Sequence, residues 1–201
     1  MKKITVLVMF SLISMFWSCK SDDDSSGGSS GSGIVQVVDG VSLNLKSGTI
    51  EDYGEYSTGV YNFDIVLIDK NINNVNGQPV PDGNTFSGVY FELFTDNPND
   101  LAEGVYTIND GFDYEANSIG WAELMTNVDI DNEESGSYRD IISATFTVLD
   151  DGNSYEFEFE GVLQTGEAIT GNYSGSLLRL DYSDEEGRNV AGSKNRSFFS
   201  K

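Results

Sequence analysis

The chain reads as an all-β protein, either an antiparallel β-sandwich or a lipocalin-like β-barrel of about eight to ten strands. Three observations predict this. Between residues 141 and 163, apolar and polar side chains alternate with a period of two: Ala144, Phe146 and Val148 against Ser143, Thr145 and Thr147, then Tyr155, Phe157 and Phe159 against Glu156, Glu158 and Glu160. Such alternation marks strands with one core face and one wet face. Turn chemistry recurs along the chain, as in Asp39-Gly40, Asn76-Gly77 and Asp151-Gly152, at intervals suited to short strands. No run outside residues 4–17 sustains a helical period.

Taken in order, Val35 and Val37, then Val41, Leu43 and Leu45, flank Asp39-Gly40 as a hairpin. Tyr61, Phe63, Ile65 and Leu67 line one face of the next strand. Residues 71–84 carry Asn76-Gly77, Pro79 and Pro81-Asp82-Gly83, which predicts a long loop. Residues 86–95 are apolar on both faces, with Tyr90 and Phe94 on one and Val89, Phe91 and Leu93 on the other, the mark of a central, covered strand. Residues 96–100 form a turn, strands follow at 105–108 and 119–126, and the acidic stretch 128–136 reads as a loop. A meander of three strands at 141–149, 154–163 and 168–180 closes the domain, with Gly171 and Gly175 marking bends of its last strand. One domain is therefore expected over 34–182. Residues 183–201 form a polar, basic tail with Arg188, Lys194, Arg196 and Lys201, in which Phe198-Phe199 offers a further docking strand.

The first residues carry an address. Met1-Lys2-Lys3 is positive, and residues 4–17 form an uncharged, mostly apolar run of fourteen residues. A spanning helix needs about 20, so the pattern predicts a secretory signal peptide over 1–18. It ends at Cys19, the one cysteine of the chain. This arrangement resembles the lipobox of bacterial lipoproteins, although Trp17 stands where that family commonly carries a small residue. The following Lys20, Ser21, Asp22, Asp23 and Asp24 resemble the acidic export tag of surface lipoproteins of Bacteroidota. The resemblance implies lipidation at Cys19, membrane attachment through that lipid, and an outer-membrane, cell-surface location. The meander with Gly171 and Gly175 resembles small all-β lipoprotein domains of the same group, some of them calycin-like. Residues 20–33, almost wholly Ser, Gly and Asp, read as a flexible linker spanning on the order of 20 Å.

Charge excludes several functions. The chain has 11 basic and 33 acidic residues. Without residues 1–18, which hold Lys2 and Lys3, nine basic residues face 33 acidic ones, a net charge of −24. Nucleic acid and anionic headgroups repel such a chain. There is no histidine, which removes the commonest general base and transition-metal ligand. No phosphate-binding glycine loop or nucleophile elbow is present.

Glu156, Glu158 and Glu160 share one face at about 6.6 Å spacing. They read as a solvated ladder that discourages edge pairing, with Arg139 and Arg179 among the few cations available to face it. Asp129, Asp131 and Glu133, with Glu134, are weak calcium candidates. Gly136 stands eighth from Asp129 where an EF-hand needs glycine sixth. The acids at 96–100 and 150–153 read more simply as turn residues. Trp121 shares the odd-numbered face of its strand with Ile119 and Met125, which predicts a core position. No cofactor and no catalytic residue is assigned. The leading functional expectation is a non-enzymatic, membrane-anchored binding module for a glycan, a peptide or a partner protein. The alternatives are a lipocalin-like carrier of a small apolar ligand and a hydrolase using two carboxylates.

Overall fold

A computed structural model describes residues 28–111 and 113–184. The expected signal peptide, Cys19, the tag at residues 20–24 and the chain beyond residue 184 lie outside the described residues. The protein is all-β, as expected. Its strands are β1 (Gly31–Val37), β2 (Ser42–Leu45), β3 (Ser47–Ser57), β4 (Val60–Ile68), β5 (Ile72–Val75), β6 (Gln78–Pro81), β7 (Thr85–Thr95), β8 (Gly104–Ile108), β9 (Ser118–Asp129), β10 (Ser137–Asp150), β11 (Tyr155–Leu163), β12 (Ala168–Gly175) and β13 (Leu178–Asp181). Eleven of them form one curled sheet, a half-barrel, in the order β13-β3-β4-β7-β9-β8-β10-β11-β12-β1-β2, while β5 and β6 form a separate hairpin.

The two ends of the sheet meet where β2 runs into β3. Lys46, the residue between them, accepts from the Gly31 amide at 2.8 Å on the β1 side and donates to the Ile68 carbonyl at 2.8 Å on the β4 side. One bent segment thus belongs to both edges, which satisfies backbone groups that would otherwise be exposed edge donors and acceptors.

Several expectations are corrected. Thirteen strands are found among the described residues, more than the eight to ten expected. The sheet is mixed rather than purely antiparallel, because β13 runs parallel to β3 and β8 parallel to β9. The segment 168–180 is not one strand. It breaks after Gly175, which has φ 157°, and β13 crosses to pair with β3 at the opposite edge. The linker ends earlier than residue 33, since Ser29 bridges Ile72 and β1 begins at Gly31. The expected loop at 71–84 contains the β5–β6 hairpin, turned by Asn76 and Gly77 at φ 56° and 85°. Both central residues have positive φ there, which Asn-Gly tolerates best.

Trp121 illustrates how a bulge overrides a simple alternation. In the β7–β9 register Glu92 faces Trp121 but Leu93 faces Ile119, so Gly120 is an extra residue. Ile119 therefore joins Ala122 and Leu124 in the interior cluster, and Trp121 packs with Met125 and Val128 on the outer face. A side chain at Gly120 has no room, for its Cβ would lie 2.6 Å from Glu92 Oε2.

The interior is filled by aromatic rings. Phe91 lies with its ring centroid 4.7 Å from Phe146 and 5.0 Å from Phe159, and Phe146 lies 5.0 Å from Phe157. Each such side chain stabilises the fold by about 1.5–3 kcal/mol through burial. The outside of the sheet divides into unlike halves. On β11 and β12 buried and exposed residues alternate, so the outer face is wet. On β4 and β7 nearly every residue is buried, so both faces are covered.

Candidate functional site

The wet half carries a trough. It has a volume of about 350 Å³ and lies over β10, β11 and β12, lined by Thr145, Thr147, Glu158, Glu160, Thr170 and Asn172. Strand register builds it as two parallel rows. Thr145 pairs with Glu160, which pairs with Thr170, and Thr147 pairs with Glu158, which pairs with Asn172. Each row is a carboxylate between two neutral hydrogen-bonding groups. The ladder continues at Glu156, which pairs with Asp150 and Ser174.

The expected cations do not meet this ladder. Arg139 Nη1 lies 4.0 Å from Glu167, and Arg179 binds Asp52 at 2.7 Å and Asp100 at 3.5 Å. Among the described residues Glu156, Glu158 and Glu160 make no ion pair, and all three are exposed. Three like charges in a line, with Asp150 beside Glu156 and neutral groups beside Glu158 and Glu160, give a local negative potential that attracts cations.

The calcium candidates are not gathered. Asp129 Oδ1 accepts from the Asp131 amide at 2.9 Å, a turn of the kind that Asp makes with its own backbone. The Tyr138 hydroxyl donates to the Glu133 carbonyl. Among the described residues, the three carboxylates that bring one oxygen each within 4.8 Å of one another are Glu103, Asp150 and Asp151, exposed or partly exposed at the end of the sheet. Solvated acids in turns are commonplace, and the grouping carries no assignment.

A second acidic row was not expected from the sequence. On the outer face of the covered half Glu51 pairs with Asp64, Asp64 with Glu92, and Glu92 with Trp121. Asp64 and Glu92 are 0% exposed and Glu51 is 7% exposed. Tyr53 donates to Glu51 at 2.8 Å, Thr49 to the same carboxylate at 3.3 Å, and Tyr90 to Asp64 at 2.8 Å. Burial pushes the Tyr90 phenol well above its ordinary value, and the charges of Glu92, Glu51 and Glu123 add to the effect. At the end of this face the Tyr114 ring stacks on Phe94 at 4.4 Å, with Tyr56 at 5.7 Å. The sequence signal was a lone acid inside an otherwise apolar strand, as in Asn62-Phe63-Asp64-Ile65-Val66 and Phe91-Glu92-Leu93. Only the register, however, sets those acids side by side.

No protein-family model, no curated protein and no solved structure matches this chain.

Proposed function

We propose that this chain is a lipid-anchored surface protein whose β-barrel is a non-enzymatic binding module, and that the trough over β10–β12 receives an extended, positively charged polypeptide segment. The observation that carries the reading is the pair of rows Thr145–Glu160–Thr170 and Thr147–Glu158–Asn172. An extended chain lying along β11 presents every second side chain at about 6.6 Å, the spacing of Glu158 and Glu160. Lysines or arginines in that alternation meet the carboxylates, and the flanking Thr and Asn groups take its polar backbone. Rings packed at 4.7–5.0 Å inside the sheet favour a site on this exterior over the carrier alternative. The anchor rests on residues 1–24, with Cys19 as the lipidated residue.

A peptide of alternating Lys and Thr, titrated calorimetrically, tests the trough. Binding should weaken steeply with salt and fall several-fold in the E158Q/E160Q variant, each exposed ion pair contributing about 0.2–1 kcal/mol. Equal affinity of wild type and variant, or binding only to a neutral oligosaccharide, would refute the peptide assignment. Cys19→Ser should move the protein from the membrane to the soluble fraction with unchanged thermal stability. Retention in the membrane fraction would overturn the anchor.

A further inference from the structure

We propose that an apolar strip at the end of the trough sets which peptides it takes: the extended cationic segment carries an apolar side chain two residues beyond the cation that meets Glu160. The inference rests on the peptide assignment above and adds the selectivity of that same site.

The strip lies one step along the strands from the row Thr145–Glu160–Thr170. Two residues beyond Glu160 on β11 stands Val162, which pairs with Ala168 of β12 and with Ser143 of β10. The Val38 amide donates to the Ala168 carbonyl at 3.0 Å, which carries the row on to the end of β1. Val37 belongs to the interior cluster, so Val38 turns outward as Gln36 does.

A bulge supplies the fourth apolar group. Ile141 pairs with Leu163 and Ser143 with Val162, which leaves Ile142 as the extra residue. The alternation of Ala144, Phe146 and Val148 would carry Ile142 into the interior. The bulge buries Ile141 instead and leaves Ile142 54% exposed. Re-aiming a side chain is what a bulge does, and an isoleucine turned to water forgoes the stabilisation of burial. Seven large apolar side chains are exposed among the described residues, and three of them, Val38, Ile142 and Val162, lie in this one strip. Contiguous apolar side chains rimmed by polar ones mark an interaction surface.

Charge says what covers the strip. It is bordered by Glu160 on β11 and by Asp39 beside Val38, both exposed. A second copy of this chain, with a net charge of −22, would bring further acid against them. A neutral apolar partner gains nothing from the ladder. A segment that is cationic over Glu158 and Glu160 and apolar over Val162 complements both surfaces. In extended form its inward side chains repeat at about 6.6 Å, so the three contacts fall at every second residue.

The test is calorimetric titration of the full chain with capped peptides of one composition and charge, in which only the place of one leucine differs. Lys-Thr-Lys-Thr-Leu and its reverse, Leu-Thr-Lys-Thr-Lys, put the leucine in phase with the lysines. Lys-Thr-Lys-Leu-Thr and Thr-Leu-Lys-Thr-Lys turn it to the opposite side. An in-phase peptide should bind at least about fivefold more tightly than its out-of-phase counterpart, and this ratio should survive salt that weakens both. In V162T/I142T, two β-branched replacements at exposed sites, the ratio should fall to about one while affinity for the alternating Lys and Thr peptide is kept. The four-peptide comparison on the wild type decides the matter without the variant. Equal affinity for all four, in a chain that binds the alternating peptide, would overturn the strip and leave the trough standing. Binding of no cationic peptide at all would overturn the trough and this inference with it. A dimer that forms as concentration rises and is lost in V162T/I142T would assign the strip to a second copy and overturn the inference.

Discussion

Gly171→Ala is a severe test of how the half-barrel is packed, although it adds one methyl group. Gly171 sits on β12 opposite Phe159 of β11 and Val35 of β1. A Cβ there would lie 2.2 Å from Phe159 Cζ, 2.6 Å from Cε2 and 2.7 Å from the Ile34 carbonyl oxygen. Carbon atoms in contact lie about 3.5–4.0 Å apart, so the ring must retreat by more than about 1 Å. It has nowhere to go, because Phe91 stands 5.0 Å away and Phe146 stacks at 6.2 Å, centroid to centroid. The clash with Ile34 is with backbone and forces the β1–β12 ladder apart. Overpacking costs about 1–3 kcal/mol, and two simultaneous clashes place this site near the upper end. At ~2–4 °C per kcal/mol for a domain of this size, Tm should fall by about 6–12 °C. Gly166→Ala is the control, for its Cβ would meet nothing within 4 Å and only its φ of 98° is strained, a cost of about 1 kcal/mol. Adding Phe159→Leu to Gly171→Ala should recover part of the loss, with a coupling of about 0.5–3 kcal/mol in the double-mutant cycle. Melting of Gly171→Ala within 2 °C of wild type, or strict additivity with Phe159→Leu, would refute the packing argument.

Alkaline pH should unfold the half-barrel. Burial raises the phenols of Tyr106, Tyr155 and Tyr173 above the ordinary value of 10.0, with the Asp100 charge adding to the effect at Tyr155. Each keeps its proton in the folded state where the unfolded chain has lost it, so stability is complete below pH 10 and declines as pH rises beyond it. Absorbance at 295 nm followed together with circular dichroism should show these tyrosines ionising only as the sheet is lost, and full ionisation of a native barrel would contradict this. Arg179→Met should cost about 1–2 kcal/mol, discounted because the side chain is 38% exposed. It removes contacts to Asp52, Asp100 and the Asn99 carbonyl, together with stacking on Phe63. Chemical denaturation by urea at low and high salt should show the cost shrinking as salt rises, and a cost unaffected by salt would assign it to packing alone.

The wet half was legible in the sequence because its chemistry is local. Glu156, Glu158 and Glu160 alternate with Tyr155, Phe157 and Phe159, and β11 alternates in just that sense. Asn76-Gly77 announced its turn, although the short strands beside it, rich in Asn and Pro, hid the hairpin. Strand β3, with the sequence Ser-Gly-Thr-Ile-Glu-Asp-Tyr-Gly-Glu-Tyr-Ser, was invisible because its polar side chains resemble a loop. Its Thr49, Glu51 and Tyr53 are satisfied by one another within a covered face, which no period-two rule detects. The bulge at Gly120 and the parallel return of β13 depend on contacts with distant strands, and a single strand's pattern does not carry them.

The two acid rows show why register matters more to function here than composition does. Glu158 and Glu160 follow one another along a single strand and stand in water. Their repulsion is screened, and they cost the fold little. Glu51, Asp64 and Glu92 come from three strands separated by as many as 41 positions and stand across from one another on a buried face. Thr49 and Tyr53 donate to Glu51 and Tyr90 donates to Asp64, so the row is reached by hydrogen bonds from neighbouring side chains inside the covered face. The ladder of Glu156, Glu158 and Glu160 needs no such donors, because its carboxylates are exposed to solvent.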